Sequence, residues 1–132
     1  MSDKESAASS CPFCTLPSDR IIHENEHAVL VLDAYPVSPG HSLIISKKHA
    51  ASWFDITTVE RESMLALLDR AREKIISETS PGGFNIGIND GSVAGQTVPH
   101  LHMHLIPRHM HDQPDPRGGV RWVIPEKAKY WR

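Results

Sequence analysis

Three histidines alternate with apolar residues in the stretch TVPHLHMHLIPRH, which covers residues 97–109. Successive side chains of a β-strand point to opposite faces, so His100, His102 and His104 are predicted to share one face, opposite the core-facing apolar residues. Three interpretations fit such a row of histidines. The first is a metal site, since His-x-His supplies two ligands from one strand. The second is a catalytic nucleophile with assisting residues, since neutral imidazole is a good nucleophile. The third is the solvated face of a half-buried strand.

The residues just before this strand favour nucleophilic chemistry at phosphorus. Gly95, Gln96 and Thr97 offer backbone N–H, amide and hydroxyl donors, which can hold phosphate oxygens and stabilise charge that develops during transfer. A hydrolytic metal site more typically has carboxylates close by, and residues 92–109 contain none.

A second motif, CPFC, places Cys11 and Cys14 near the start of the chain. A redox Cys-x-x-Cys follows a buried strand and begins a helix, whereas here the preceding residues are polar and small. A zinc ligand pair is therefore the favoured interpretation. A closed tetrahedral zinc site needs two further ligands, and His49 and His100 are candidates.

The elements that must position these side chains form a short series of strands around one helix. Thr57 and Glu60 fit a capping box, which predicts where the helix begins. Apolar residues then recur at helical spacing until Ser80-Pro81-Gly82-Gly83 ends it. Runs rich in Val, Leu and Ile predict strands, the first two as an antiparallel hairpin. The predicted elements are strands at 27–35, 41–49, 83–90 and 100–105, and a helix at 57–78.

This order of elements predicts an α+β domain with an antiparallel sheet. The 132 residues suffice for a single domain with a modest core. Residues 1–10 are expected to be a disordered tail, and the GVRWVIP stretch at 119–125 is the one strand-like piece near the end of the chain.

Composition excludes several classes of protein. Fourteen basic residues against sixteen acidic ones leave a net charge of −2, which predicts no general nucleic-acid surface. The apolar runs are too short to span a membrane, and the first residues lack the apolar core of a secretion signal. Two cysteines are too few for a disulfide scaffold, so a cytoplasmic protein is expected.

Taken with two further segments, GQTVPHLHMHLIPR resembles the signature of the histidine triad (HIT) family of nucleotide hydrolases and transferases. DAYPVSPGHSLIISKKH, at 33–49, is similar to the family's segment in which a ribose-binding acidic residue precedes a fourth active-site histidine by eight positions. GINDG, at 87–91, resembles the segment before its phosphate loop. The resemblance covers most of residues 11–109 and implies a HIT-like fold, with about five antiparallel strands and one main helix, over residues 11–110.

The resemblance also implies a reaction. His102 would attack the α-phosphorus of a nucleotide and form a covalent nucleotidyl-histidine, from which water would release a nucleoside monophosphate, with AMP expected. His104 and His41 would contact the phosphate and the leaving group. The other implied substrate contacts are Asp33 to ribose, Asn89, Gln96 and Thr97 to phosphate oxygens, and Phe13 and Leu32 to the base.

The same resemblance implies a structural zinc held by Cys11, Cys14, His49 and His100, with no catalytic metal. It further implies a homodimer, and a C-terminal extension over 111–132 that packs on or near the active site. The expected partner is a purine nucleotide, with neither a membrane nor nucleic acid as partner.

The sequence leaves two other functions open. One is a metal-dependent hydrolase that uses the histidine cluster as ligands of a catalytic metal. The other is a nucleotide-binding regulatory module with little turnover.

Overall fold

An antiparallel sheet of five strands with one long helix forms the fold, which confirms the α+β architecture predicted from the sequence. The computed structural model describes residues 10–132, so the predicted disordered tail falls, but for Ser10, outside the described residues. The sheet order is β1-β2-β3-β5-β4. The elements are β1 Ile21–Glu24, β2 Ala28–Leu32, β3 Ser42–Ser46, α1 Thr58–Thr79, β4 Gly83–Gly87, β5 His102–Arg108 and a short α2 Pro125–Ala128.

Strands β2 and β3 form the predicted hairpin, with Ala28 paired to Ser46 and Leu32 to Ser42. Strand β1 was not predicted. It has only four residues, none of them fully buried, and its register with β2 shifts between Ile21 and His23. A strand this short and irregular leaves no clear alternation of apolar and polar residues in the sequence.

Helix α1 begins at the predicted capping box. The Thr57 side chain accepts a hydrogen bond from the Glu60 backbone N–H, and the Glu60 carboxylate accepts one from the Thr57 N–H. Ile76 is 38% exposed, so the buried face is narrower than the apolar spacing predicts. The helix residues in the core are Met64, Leu67, Ala71 and Ile75.

The two faces of the sheet are covered differently. Helix α1 packs on the face that carries Met103 and Leu105 of β5. The opposite face of β2 and β3 carries a separate apolar cluster, against which Phe13 and Leu16 of the N-terminal segment pack. On this second face, the cluster residues are Val29, Val31, Leu43 and Ile45.

Strand β5 presents its histidines on the second face, away from the helix. His102 is paired with Ile45 and His104 with Leu43, and residues directly opposite each other in an antiparallel pair share a face. His100 precedes the strand, so only two of the three histidines belong to β5.

The prediction of a strand in GVRWVIP is wrong. Residues 119–123 form a 3₁₀ helix and residues 125–128 a single helical turn. Gly118 and Gly119 both have positive φ, and the Arg121 guanidinium donates to the carbonyl oxygens of Lys127 and Ala128, which folds the segment back on itself. Over residues 10–132, no helix is both long and apolar enough to cross a membrane.

Candidate active site

Three side chains from neighbouring strand ends meet at one edge of the second face. Asp33 follows β2, His41 precedes β3, and His104 lies within β5, next to β3 in the sheet. His41 Nε2 lies 3.0 Å from His104 Nδ1 and 3.3 Å from Asp33 Oδ2. The Asp33 carboxylate is 3.9 Å from His104 Nδ1. These three residues form one polar cluster at the hairpin end of the sheet.

His102 lies beside this cluster with its ring held in one tautomer. Its Nδ1 is 2.8 Å from the carbonyl oxygen of His100, and because a carbonyl can only accept, Nδ1 must donate. Nε2 of the neutral ring therefore carries the lone pair. The ring packs edge-on against Phe13 at 4.9 Å and lies 5.3 Å from the ring of His104, both measured between centroids.

A backbone amide determines the tautomer of His41 in the same way. The Val37 N–H donates to His41 Nδ1 at 3.1 Å, so the neutral ring carries its proton on Nε2, which faces Asp33 and His104. His104 Nδ1 then accepts from His41, which leaves the His104 Nε2–H as a donor on the far side of the ring. His41 and His104 thus each present an N–H donor at Nε2 rather than a lone pair.

Burial favours the neutral forms of both rings. Desolvation lowers the pKa of His41, which is almost fully buried, and the Asp33 carboxylate partly opposes it. Desolvation also lowers the pKa of His104, assisted by the neighbouring His102 and His41, while Asp33 again acts in the opposite direction. Near neutral pH the cluster therefore holds uncharged rings beside one carboxylate.

The four predicted metal ligands converge at a second site. Nδ1 of His49 lies 3.2 Å from Nδ1 of His100 and 3.0 Å from Sγ of Cys14. Nδ1 of His100 lies 3.4 Å from Sγ of Cys11 and 3.5 Å from Sγ of Cys14. All four ligand atoms lie within 4.8 Å of one another, so the cluster could bind a metal ion.

Ligand chemistry at this cluster fits zinc. Tetrahedral zinc with ordinary bond lengths separates two nitrogens by about 3.3 Å and a nitrogen from a sulfur by about 3.6 Å, close to the spacings present. His100 Nε2 is 2.6 Å from the Ser46 carbonyl and must donate to it, so Nδ1 offers its lone pair to the cluster. Partial burial, with the adjacent Cys11, raises the pKa of Cys14 to about 11, which a bound cation would counter.

The three histidines of the HxHxH motif therefore do not form one metal cage. His100 belongs to the cluster with the cysteines, His104 belongs to the cluster with Asp33 and His41, and His102 belongs to neither. His41 Nε2 carries a proton in its neutral tautomer, which makes it a poor ligand for a metal between Asp33, His41 and His104.

The loop before the histidines closes on itself. Gly91 and Gly95 have φ of 99° and 96°, a region that favours glycine. Gln96 Oε1 accepts from the Gly91 N–H at 2.8 Å, and its Nε2 donates to the Ala51 and Val98 carbonyls. Gln96 therefore holds the loop together.

The remaining predicted substrate contacts lie on different sides of His102 and His104. Asn89 lines the same cleft as His41 and His104. Thr97 lines a small cleft beside Cys11 and His49. Phe13 packs on the apolar cluster of the second face, whereas Leu32 follows Val31 in β2, lies on the opposite face and is 52% exposed.

A cleft of about 760 Å³ extends from His41 and His104 to the C-terminal segment. Its far side is formed by residues between 112 and 122, so this segment lies next to the active-site histidines. Arg108 donates to both oxygens of Asp112 and to Asn85 Oδ1, which joins the segment to β4 and β5. The family resemblance implies a C-terminal extension over 111–132 near the site, but the sequence carries no periodic signal for these individual contacts.

Comparison with known proteins identifies one family. The family model described as the HIT domain matches residues 16–111, more than half of the chain. An uncharacterized HIT-like protein of Mycoplasma genitalium is 37% identical over 110 residues, covering 80% of this chain and 78% of the relative.

Two further relatives add chemical context. The AP-4-A phosphorylase of Mycobacterium tuberculosis is 32% identical over 109 residues, which are 78% of this chain and 56% of that enzyme. The crystal structure of a Zn-bound histidine triad family protein from Mycobacterium smegmatis is similar with a TM-score of 0.72 and 32% identity. That match covers 92% of this chain and 95% of the other.

Proposed function

This chain belongs to the HIT domain family, and from that premise we propose that it hydrolyses nucleotides through a covalent nucleotidyl-His102 intermediate. The released product is a nucleoside monophosphate, with AMP expected, and the leaving group is attached through a phosphate or an amine. The observation that carries this proposal is the His102 Nδ1–H donated to the His100 carbonyl, which leaves Nε2 free to attack.

In the first step, the Nε2 lone pair of His102 forms an N–P bond to the α-phosphorus. The bond from phosphorus to the leaving group breaks, its electron pair departs with that group, and an amine leaving group takes up a proton from solvent. The modified ring becomes cationic, and the His100 carbonyl, 2.8 Å from Nδ1, stabilises the charge. In the second step, water attacks phosphorus and releases a proton to solvent, and the N–P electron pair returns to Nε2.

The neighbouring donors stabilise charge on the phosphate during both steps. His104 offers Nε2–H because its Nδ1 accepts from His41, and His41 is oriented by the Val37 amide. Asn89, Gln96 and Thr97 are proposed to hold phosphate oxygens, and Gln96 must exchange its loop hydrogen bonds to do so. Fixed donors of this kind stabilise a transition state without reorganising.

The nucleoside is proposed to lie on the opposite side of the phosphate from the C-terminal segment. Asp33 has one carboxylate oxygen directed at His41, and it is proposed to accept hydrogen bonds from the ribose hydroxyls as well. Phe13, which packs beside His102 on the second face of the sheet, is proposed to offer apolar contact to the base, together with the half-exposed Leu32.

The ligand set of Cys11, Cys14, His49 and His100 is proposed to hold a structural zinc ion. Bound zinc would tie the N-terminal segment to the strand that carries the nucleophile and add folding energy. His100 then has two tasks, since its side chain binds metal and its carbonyl orients His102.

A homodimer is proposed in which two sheets join edge to edge. Strand β4 is at one edge of the sheet, and its Ile86 is 47% exposed. An open strand edge is available for pairing with a second copy of the chain.

Two alternatives are less well supported. A catalytic metal held by the triad conflicts with the division of its three histidines between separate sites. A regulatory module that only binds nucleotide needs no tautomer-locked His102 beside the donor of His104.

The proposal is tested by intact mass spectrometry after mixing the protein with an adenosine phosphoramidate or a dinucleoside polyphosphate. The sample is quenched early at alkaline pH, because phosphoramidates are labile in acid. We expect a transient gain of one nucleoside monophosphate that is absent from His102→Ala. Product formation without an adduct, lost on chelation and restored by zinc, would instead support the metal-dependent alternative.

A further inference from the structure

The cleft between β4–β5 and the C-terminal segment has the composition of a ring-binding site. We propose that it is the leaving-group site of the proposed reaction, on which this inference rests, and that it binds an uncharged planar ring rather than a polyphosphate chain. The cleft begins at His41 and His104, beside the position where the leaving group departs, and ends at Val120 and Trp122.

The volume of the cleft and the residues that line it suit a ring system. A volume of about 760 Å³ is within the range of ordinary small-molecule sites, on the order of 300–1,000 Å³. Apolar residues line both walls, with Ile106 on the sheet and Val120 and Trp122 on the segment. Trp122 is 40% exposed, so part of its indole is available to a ligand.

Charge at the cleft does not suit a chain of phosphates. Arg108 is the single Lys or Arg among the residues that line it. Its Nε and Nη2 donate to Asp112 at 2.7 and 2.8 Å, and its Nη1 donates to Asn85 at 2.6 Å. Asp115 places a second carboxylate in the lining. No unpaired cation is therefore left in this cleft to bind a polyanion.

The wall that carries Trp122 is held in place by its own contacts. Trp122 Nε1 donates to the Arg117 carbonyl at 2.8 Å. The Arg117 guanidinium lies 4.6 Å from the centre of the Trp131 ring, and Gly118 has a positive φ that brings its backbone close to both indoles. A preformed aromatic wall binds a ring with little loss of conformational freedom.

The test compares three AMP phosphoramidates that differ only in the amine: N-ethyl, N-(2-phenylethyl) and N-[2-(4-carboxyphenyl)ethyl]. The phenylethyl compound is expected to have a kcat/KM about tenfold above that of the ethyl compound, since stacking on an aromatic side chain has about this strength. The carboxyphenyl compound is expected to lose most of that gain. Equal values for all three would overturn the proposal.

Substitutions in and near the cleft test whether the preference for the phenylethyl compound arises there. Trp122→Ala is expected to reduce the tenfold preference to about twofold or less. Trp122→Phe, which keeps a ring, is expected to restore most of the preference. Val120→Ala should weaken the preference, whereas Val123→Ala, which is also largely exposed but lies outside the lining, should not. A preference that survives both Trp122→Ala and Val120→Ala would place the ring elsewhere.

A binding measurement distinguishes a failure of this inference from a failure of the proposed function. Calorimetric titration of His102→Asn with the ethyl and phenylethyl compounds measures the cleft without turnover. Tighter binding of the phenylethyl compound supports the ring site even if the wild type hydrolyses neither substrate. Equal affinity overturns the ring site even if both are hydrolysed through an adduct.

Discussion

Single backbone atoms determine the tautomers of three histidines at the two sites. The His100 carbonyl sets the tautomer of His102, the Val37 amide sets that of His41, and the Ser46 carbonyl sets that of His100. His102 is therefore left with a lone pair on Nε2, His41 with a donor on Nε2, and His100 with a lone pair on Nδ1. The alternating pattern alone predicts a shared face but not these separate tasks.

Asp33→Asn tests whether the carboxylate acts on the histidine pair as well as on ribose. Its charge raises the pKa of both His41 and His104, so its loss should lower both. We expect the acidic limb of the kcat/KM profile to move to lower pH, and KM to rise about tenfold as a charge-assisted hydrogen bond is lost. Asp69→Asn, on the exposed side of α1, serves as the control. A raised KM with an unmoved acidic limb would restrict Asp33 to the ribose.

The buried rings of His41 and His104 also predict how stability depends on pH. Their pKa values are lowered in the folded protein, so below about pH 6.5 the unfolded chain binds more protons. The free energy of unfolding should therefore fall as pH decreases through this range, by up to about 1.4 kcal/mol per pH unit for each ring. Urea unfolding between pH 5 and 7 measures it. Double replacement by Gln should flatten the slope, and an unchanged slope would contradict the assignment.

At the level of elements, the predictable parts are those with strong local patterns. The hairpin of β2 and β3, the helix with its cap and the alternation of β5 all follow from spacing that reports burial directly. The conformations of strand β1 and of the 119–125 segment do not follow from such spacing. They depend on contacts made after folding, such as that of Arg121 with the Ala128 carbonyl, and apolar content alone wrongly predicts a strand at 119–125.

The capping box of α1 provides a stability test at this scale. Thr57→Ala removes the acceptor for the Glu60 N–H, 3.1 Å away, and is expected to lower the free energy of unfolding by about 1 kcal/mol. Thr58→Ala, at the next exposed position, should change it by less than about 0.5 kcal/mol. Equal effects of the two substitutions in chemical denaturation would show that the box contributes nothing specific.

Considered as a whole, the molecule holds His102, the proposed nucleophile, between two terminal segments. The N-terminal segment brings Cys11, Phe13 and Cys14 to one side of His102, and the C-terminal segment lies across the cleft that begins at His104. The clustering of Cys11 and Cys14 with His49 and His100 was predictable, because a metal-binding Cys-x-x-Cys pair needs two partners and the family resemblance implies these histidines. The cleft was not, because Arg108, Asp112 and Trp122 converge through loops without periodicity.

Removal of metal tests how the N-terminal segment is held. Treatment with a chelator is expected to lower Tm by at least about 5 °C, and added zinc should restore it, because the ion binds the folded ligand set. Cys14→Ser should abolish both responses. His109→Gln, outside the ligand set, should leave them intact. A Tm that does not respond to chelation in zinc-loaded protein would contradict a structural metal.

The stereochemical course at phosphorus tests the covalent route most directly. Hydrolysis of a substrate with a chiral α-phosphorothioate in ¹⁸O-labelled water gives a chiral nucleoside phosphorothioate. Two in-line displacements, first by His102 and then by water, predict retention of configuration. Inversion would mean that water attacks phosphorus directly, and His102 would then not be the nucleophile.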